Sequence, residues 1–279
     1  MKVTYLGTTM LLFDDGKDQI LFDCHVTRPS IPKYALSKIK TDCDVADRVM
    51  SEFKMDRLRA MFISHSHHDH VMDAPYFANK CGCKIYGSSS TLNVARGGGV
   101  PEENLVLFSE GQSYQVGDFN IKGIKSLHSK PSFFNNDLGQ TIDSPLSQPA
   151  KKKMYKEGGS YDFIMEHQGK TILIRPSYNF IPGQLDGIKA DVLFLAIAGL
   201  SKDEPEHEKM FWAETVEKVK PGLVVPLHWD NFFTPLYGPI VQLPKMFEFT
   251  GKSMHKLAVA CAERDVPCVV QMPLTTMEI

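Results

Sequence analysis

His65-Ser66-His67-His68-Asp69-His70 is the stretch that decides how this chain is read. It follows Leu58, Ala60, Met61, Phe62, Ile63 and Ser64, an apolar run with the form of a buried strand that is ending. Asp73, Ala74, Pro75, Tyr76, Phe77 and Ala78 come next and read as a helix start. The six residues therefore sit on a strand-to-helix loop, where side chains can converge. His65 and His67 stand two apart, which puts both imidazoles on one side of an extended segment. Asp69 and His70 follow the turn of the chain and address a second point. Imidazole and carboxylate suit zinc or a similar divalent ion. A tag-like histidine tract would be terminal and would not follow a buried strand.

HSHHDH matches the HxHxDH signature of the metallo-β-lactamase superfamily, and the resemblance extends along nearly the whole chain. The opening KVTYLGTTMLLFDDGKDQILFD resembles that family's first hairpin, with Asp23 at the place of an Asp that supports the metal site. GIKSLHS, ILIRPSYN, KADVLFLAI and LVVPLHWDNF resemble its later strands, and they carry His128 and His228. The resemblance implies an α/β (α+β) fold, a four-layer αβ/βα sandwich formed by one domain over 1–279. Two sheets would face each other, with helices outside and the metals at one edge. His65, His67 and His128 would hold one tetrahedral ion with an open fourth position. Asp69, His70 and His228 would hold a second. His68 is the family's variable position and is expected to point away; His25 receives no role.

One position departs from the family. Most members carry an Asp after a strand like Thr171 to Ile174, and that carboxylate bridges both metals. Here Ser177 stands in its place, and a hydroxyl binds a divalent ion more weakly than a carboxylate and does not offset its charge. Asp230, two residues after His228, is a candidate substitute ligand; the competing reading makes it a loop cap or a partner behind the ligands.

Length and composition set the bounds. At 279 residues the chain suits one large domain, and a net charge of −2 argues against a general nucleic-acid or acidic-membrane surface. No stretch is long and apolar enough to span a membrane, and the N-terminus reads as a hairpin rather than a signal peptide. Six cysteines do not suggest a disulfide scaffold, so the expected compartment is the cytoplasm. Cys81 and Cys83 lack the spacing of common zinc knuckles and read as structural thiols.

The coarse pattern predicts strands at 3–13, 19–23, 84–86, 105–108, 113–116, 118–127, 161–167, 171–175, 191–197, 223–227 and 268–271. Helices are expected at 44–56, 74–80, 88–95, 207–219 and 253–264, with 26–42 irregular near the mouth of the site. Residues 129–160 form a long irregular segment that starts at His128, and such connections are usually functional. It is expected to cap the site and is a candidate contact with a second subunit in a homo-oligomer. Its lysines, Lys151, Lys152 and Lys153, read as a solvated face rather than a substrate clamp.

The resemblance implies a hydrolase with one or two divalent ions, zinc first and manganese or iron as alternatives. A bound ion lowers the pKa of its water toward about 7, giving a metal-bound hydroxide for attack on an ester, lactone or phosphodiester of a small-molecule substrate. Asp69 would orient the nucleophile and collect its proton, and His228 would bind the second metal or meet the leaving oxygen. Trp229, Phe232 and Phe233, with Phe133 and Phe134, are candidates for an apolar pocket wall. The second half resembles lactonase-like and phosphodiesterase-like branches more than true β-lactamases. A tRNA 3′-end nuclease is disfavoured because no extended basic arm is visible. The alternative is a metal-binding protein without hydrolase activity, a sensor or redox relative, motivated by Ser177.

Overall fold

The computed structural model describes residues 1–131 and 136–279. The opening apolar run folds back on itself instead of forming the single strand expected over 3–13. Strand β1 (Lys2–Gly7) pairs antiparallel with β2 (Met10–Asp14) across a turn in which Gly7 has φ 96° and Thr8 φ 55°. Gly7 is required there twice over. Its φ is one that other residues avoid, and a Cβ would lie 1.8 Å from Arg28 Nη2. Strand β3 (Gln19–Phe22) then joins β2 through the Asp-rich hairpin.

From β3 the first sheet grows by parallel additions. Helices α1 (Ile31–Leu36) and α2 (Cys43–Glu52) lead to β4 (Leu58–Phe62). The turn α3 (His68–Val71) and helix α4 (Ala74–Cys81) lead to β5 (Lys84–Gly87), and α5 (Ser89–Gly97) leads to β6 (Leu105–Leu107). The second sheet contains β7 (Ser113–Val116), β8 (Phe119–Ser126), β9 (Ser160–His167), β10 (Lys170–Arg175), β11 (Val192–Ala196) and β12 (Leu223–Leu227). Helix α6 (Pro205–Trp212) precedes β12, and α7 (Thr250–Glu263) precedes the last strand, β13 (Thr275–Glu278). Strand order is β13-β1-β2-β3-β4-β5-β6 in one sheet and β12-β11-β10-β9-β8-β7 in the other.

The two-residue period of the strands builds the layers. Leu11, Phe13, Ile20, Phe22 and Phe62 face the second sheet, where they share a core with Phe163 and Phe194. Their neighbours Met10, Leu12, Leu21 and Met61 face the opposite way, onto Val49, Phe77 and Leu92 of α2, α4 and α5. Phe211 and Trp212 of α6 and Leu257 of α7 join the core from the second sheet's side. Burying each of these large side chains stabilises the fold by roughly 1.5–3 kcal/mol. The result is the expected α/β sandwich of two facing sheets with helices outside.

Beyond the opening strand, three sequence expectations need correction, the first being 26–42, expected irregular, which contains helix α1. Residues 268–271 make one bridge, Cys268 to Val224, and the closing strand is β13 instead. Its sequence, TTME, has no apolar alternation, so its strand form comes from pairing with β1. The helix expected over 207–219 is α-helical to Trp212 and continues as a π-helical turn over Ala213–Glu217. Among the described residues no helix is long and apolar enough to cross a membrane.

Topology then gathers the chemistry. Strand β9 runs antiparallel to both β8 and β10, while β10, β11 and β12 are parallel. Hence β8, β10 and β12 all run the same way. Their C-terminal ends deliver His128, Ser177 and His228 to one edge of the sandwich, and β4 delivers the HSHHDH loop from the other sheet.

Candidate metal centre

Asp23 anchors the loop. Fully buried, it accepts hydrogen bonds from Ser64 N at 2.7 Å, Ser64 Oγ at 2.9 Å and Thr9 Oγ1 at 2.6 Å, and it meets His70 Nδ1 at 2.8 Å. One carboxylate thus joins the β1–β2 turn, the segment after β4 and α3. Asp23, Thr8 and His228 all have left-handed backbones, with φ of 52°, 55° and 57°. Non-glycine residues adopt that conformation at a cost, and it persists where surrounding contacts impose it. Here His228 N donates to Thr8 O at 2.6 Å, tying the end of β12 to the β1–β2 turn.

The donors fall into two groups of three. His65, His67 and His128 offer ligand atoms within 4.8 Å of one another, and so do Asp69, His70 and His228. His67 Nδ1 lies 3.2 Å from His128 Nε2. Asp69 Oδ2 lies 3.4 Å from His228 Nε2 and 3.7 Å from His70 Nε2.

The remaining ring nitrogens show that these groups fit a cation. His65 Nδ1 contacts Ser64 Oγ at 3.0 Å while its buried Nε2 has no partner among the described residues. His128 Nδ1 contacts Ser129 O at 3.0 Å, and His67 Nε2 contacts Asp137 Oδ1 at 3.0 Å. In each imidazole of this trio, and in His70, one nitrogen is fixed by an oxygen and the other faces the cluster. That is how neighbours orient metal-binding histidines.

Electrostatics point the same way. Burial, reinforced by the neighbouring imidazoles His70, His128 and His67, holds His65 far below its usual value. Burial and His67 bring His128 down to about 3. Both rings are therefore neutral and have a lone pair to offer at pH 7. Burial opposes the charge on Asp69, but His70, His68 and His228 outweigh it and hold the carboxyl well below its usual range. Burial would lower His228 too, yet the Asp69 hydrogen bond and charge raise it overall.

This arrangement has a counterpart in known proteins: the signature of the β-lactamase superfamily domain matches residues 20–229. The chain belongs to the β-lactamase superfamily. Among curated relatives, a metal-dependent hydrolase of Myxococcus xanthus is 26% identical over 181 residues, covering 63% of this chain and 57% of that protein. One from Anaeromyxobacter sp. is 24% identical over 235 residues, covering 83% of this chain and 75% of that protein. Igni18, described as a metallo hydrolase of the archaeon Ignicoccus hospitalis, shares the fold with a TM-score of 0.60 at 19% identity, covering 100% of this chain and 98% of that one.

Within this superfamily member, several expected site residues lie elsewhere or act differently. Ser177 is buried in the wall of the cleft that also contains His67, Asp69, His70, His128 and His228. Asp230 does not replace the missing carboxylate. Its Oδ1 accepts from Tyr5 Oη and Thr8 N, both at 2.7 Å, and its Oδ2 pairs with Arg28 Nη2 at 2.7 Å. An Asp two residues beyond His228 points the same way only if the backbone is extended, and the left-handed His228 breaks that premise. Asp230 instead secures the turn that receives His228.

Phe232 and Phe233 line the cleft as expected, whereas Trp229 is buried in the core, 6.4 Å from the Tyr5 ring. Phe133 and Phe134 lie outside the described residues. His68 does not point away: it lines the cleft, its ring 4.7 Å from that of Tyr34. His25 is buried, its ring 5.8 Å from that of His68. Asp137 is the residue that sequence reasoning missed. It reaches His67 from an irregular segment 70 residues away, and nothing in its local sequence distinguishes it from a loop acid.

Proposed function

We propose that this chain is a metal-dependent hydrolase that cleaves an ester, lactone or phosphodiester bond in a small molecule, with zinc as the preferred ion. The observation that supports this most is the pair of three-donor groups side by side in one cleft of about 810 Å³. His65, His67 and His128 would hold one ion, and Asp69, His70 and His228 the other. A divalent ion there supplies Lewis acidity and hydroxide at neutral pH.

The chain's own residues do the rest. Asp23, Ser64 and Asp137 fix the imidazoles and spare them reorientation when substrate arrives. Asp69, kept ionised by its three histidine neighbours, is placed to accept a hydrogen bond from the nucleophile and orient it. Phe232 and Phe233 present an apolar side to the bound molecule.

The test is elemental analysis of the purified protein together with assays on 4-nitrophenyl acetate, γ-butyrolactone and bis(4-nitrophenyl) phosphate. Hydrolysis of at least one, abolished by chelation and by His67→Ala and restored to the native chain by zinc, is expected. A protein that binds metal stoichiometrically yet leaves all three intact would favour the sensor-like reading, for which Ser177 is the specific motive.

A further inference from the structure

The wall of the cleft formed by the connection between β8 and β9 is cationic and held firmly against the metal loop. Ser66, which stands between His65 and His67, donates from Oγ to Lys156 O at 2.7 Å and from N to Glu157 O at 2.9 Å. Gly158 comes so close that a Cβ there would meet Ser66 Oγ at 2.3 Å. The same connection is joined to the body by the Ala150–Ile39 bridge and by Gln148, which binds Met72 O at 2.6 Å and Thr41 N at 2.7 Å. Lys152, Lys153 and Lys156 line the cleft together with the histidines. Lys152 Nζ lies 4.7 Å from the centre of the Tyr34 ring, which in turn lies 4.7 Å from His68.

The other lysines of the cleft are differently placed. Lys130 pairs with Asp203 at 3.0 Å, and Lys202 donates to Met246 O at 2.7 Å. The acids on that side are also engaged: Asp203 accepts from Tyr178, and Glu248 accepts from Gly199 N and Ser201 N. Lys153 and Lys156 have no ion pair among the described residues. Lys152 is half-buried, and desolvation lowers its ammonium below the usual range although Asp137 and Asp69 act in the opposite direction. With Ser177 where a carboxylate would sit, this cleft also has one negative charge fewer beside its cation-binding donors.

From this placement we infer that Lys152, Lys153 and Lys156 form a clamp for an anionic group on the substrate, a phosphate or carboxylate remote from the bond that is cut. The inference deepens the hydrolase reading and rests on it for the word substrate. A neutral ester would gain little from three ammonium groups on one wall, whereas an anion would make charge-assisted hydrogen bonds there. Such bonds in a partly desolvated cleft typically contribute about tenfold in affinity each.

The zinc-loaded protein should be titrated calorimetrically with propyl phosphate and with butanoate, as native chain, as the Lys153→Gln/Lys156→Gln double variant and as Lys153→Glu. Lys153 is exposed, so the last variant leaves the packing intact. The native chain should bind at least one of the two, and which one identifies the anion. The double variant should bind roughly a hundredfold more weakly, with metal content and Tm unchanged. Equal affinity in all three proteins, as expected if the anion meets only the metals, would overturn the clamp. So would absence of binding to the native chain. In kinetics, the double variant should raise KM for mono-4-nitrophenyl glutarate while sparing 4-nitrophenyl butanoate. If neither ester is cleaved, the hydrolase reading fails by itself and the titration still decides the clamp.

Discussion

Replacing Asp230 with Ala separates the two roles open to that residue. Its carboxylate is buried against Arg28, with side-chain exposures of 2% and 4%, and also receives Tyr5 and Thr8. Removing it leaves a guanidinium out of water without its counter-charge, which costs roughly 3–5 kcal/mol. For a domain of this size each kcal/mol lowers Tm by about 2–4 °C, so a fall of roughly 6–20 °C is expected. Urea unfolding at fixed zinc concentration would measure it, with elemental analysis of the same samples, because bound metal itself shifts apparent stability. Arg28→Met combined with Asp230→Leu should recover much of the loss, since an apolar pair leaves no stranded charge. The reasoning is refuted if Asp230→Ala loses metal while its stability changes by less than about 1 kcal/mol, below the cost of a stranded buried charge. Asp230 would then be a ligand after all.

Three further outcomes are expected. Asp137→Asn should weaken metal binding about 10–100-fold by loosening the orientation of His67, read by competition with a chelating dye. Ser177→Asp should strengthen binding of the second ion by adding a carboxylate to the cleft wall, visible as a steeper second phase in a zinc titration. Asp15 tests the pH sign away from the site. Burial opposes its charge, but Asp18 N, Lys17 N and His167 outweigh that and lower its pKa. Its stabilisation is complete above the unfolded value of about 3.9 and is lost as pH falls through the lower folded value. Asp15→Asn should therefore flatten the acid limb of a stability–pH curve below about pH 4.

Legibility followed how local each cause was. Strands such as β8 and β12 and the turn after β4 could be read because their burial pattern is written in consecutive residues. The Gly7–Thr8 turn could not, since neither the left-handed backbone at Gly7 nor the approach of Arg28 is written in the neighbouring residues. Strand β13 is set by its partner β1, so its own residues give no signal. At the site, HSHHDH announces itself, and His128 and His228 follow from the resemblance. Asp137 and the lysine wall depend on where an irregular connection comes to rest. Of the two readings open for Asp230, residue spacing could not choose, because one backbone angle at His228 sets which way its carboxylate points.

The knot between His228 N and Thr8 O has a consequence for how such a protein can change. The candidate metal donors come from the ends of β4, β8 and β12 and from α3, locked by the cores of both sheets, so altering one disturbs several others. The cleft wall comes from a single excursion between two adjacent strands, pinned by a few hydrogen bonds around Ser66, Asn93 and Met72. Centre and wall therefore belong to different parts of the chain and are coupled at two places, Asp137 on His67 and Lys156 and Glu157 on Ser66. A descendant can vary the rest of that excursion and acquire a new clientele as long as a group in the place of Asp137 still orients His67.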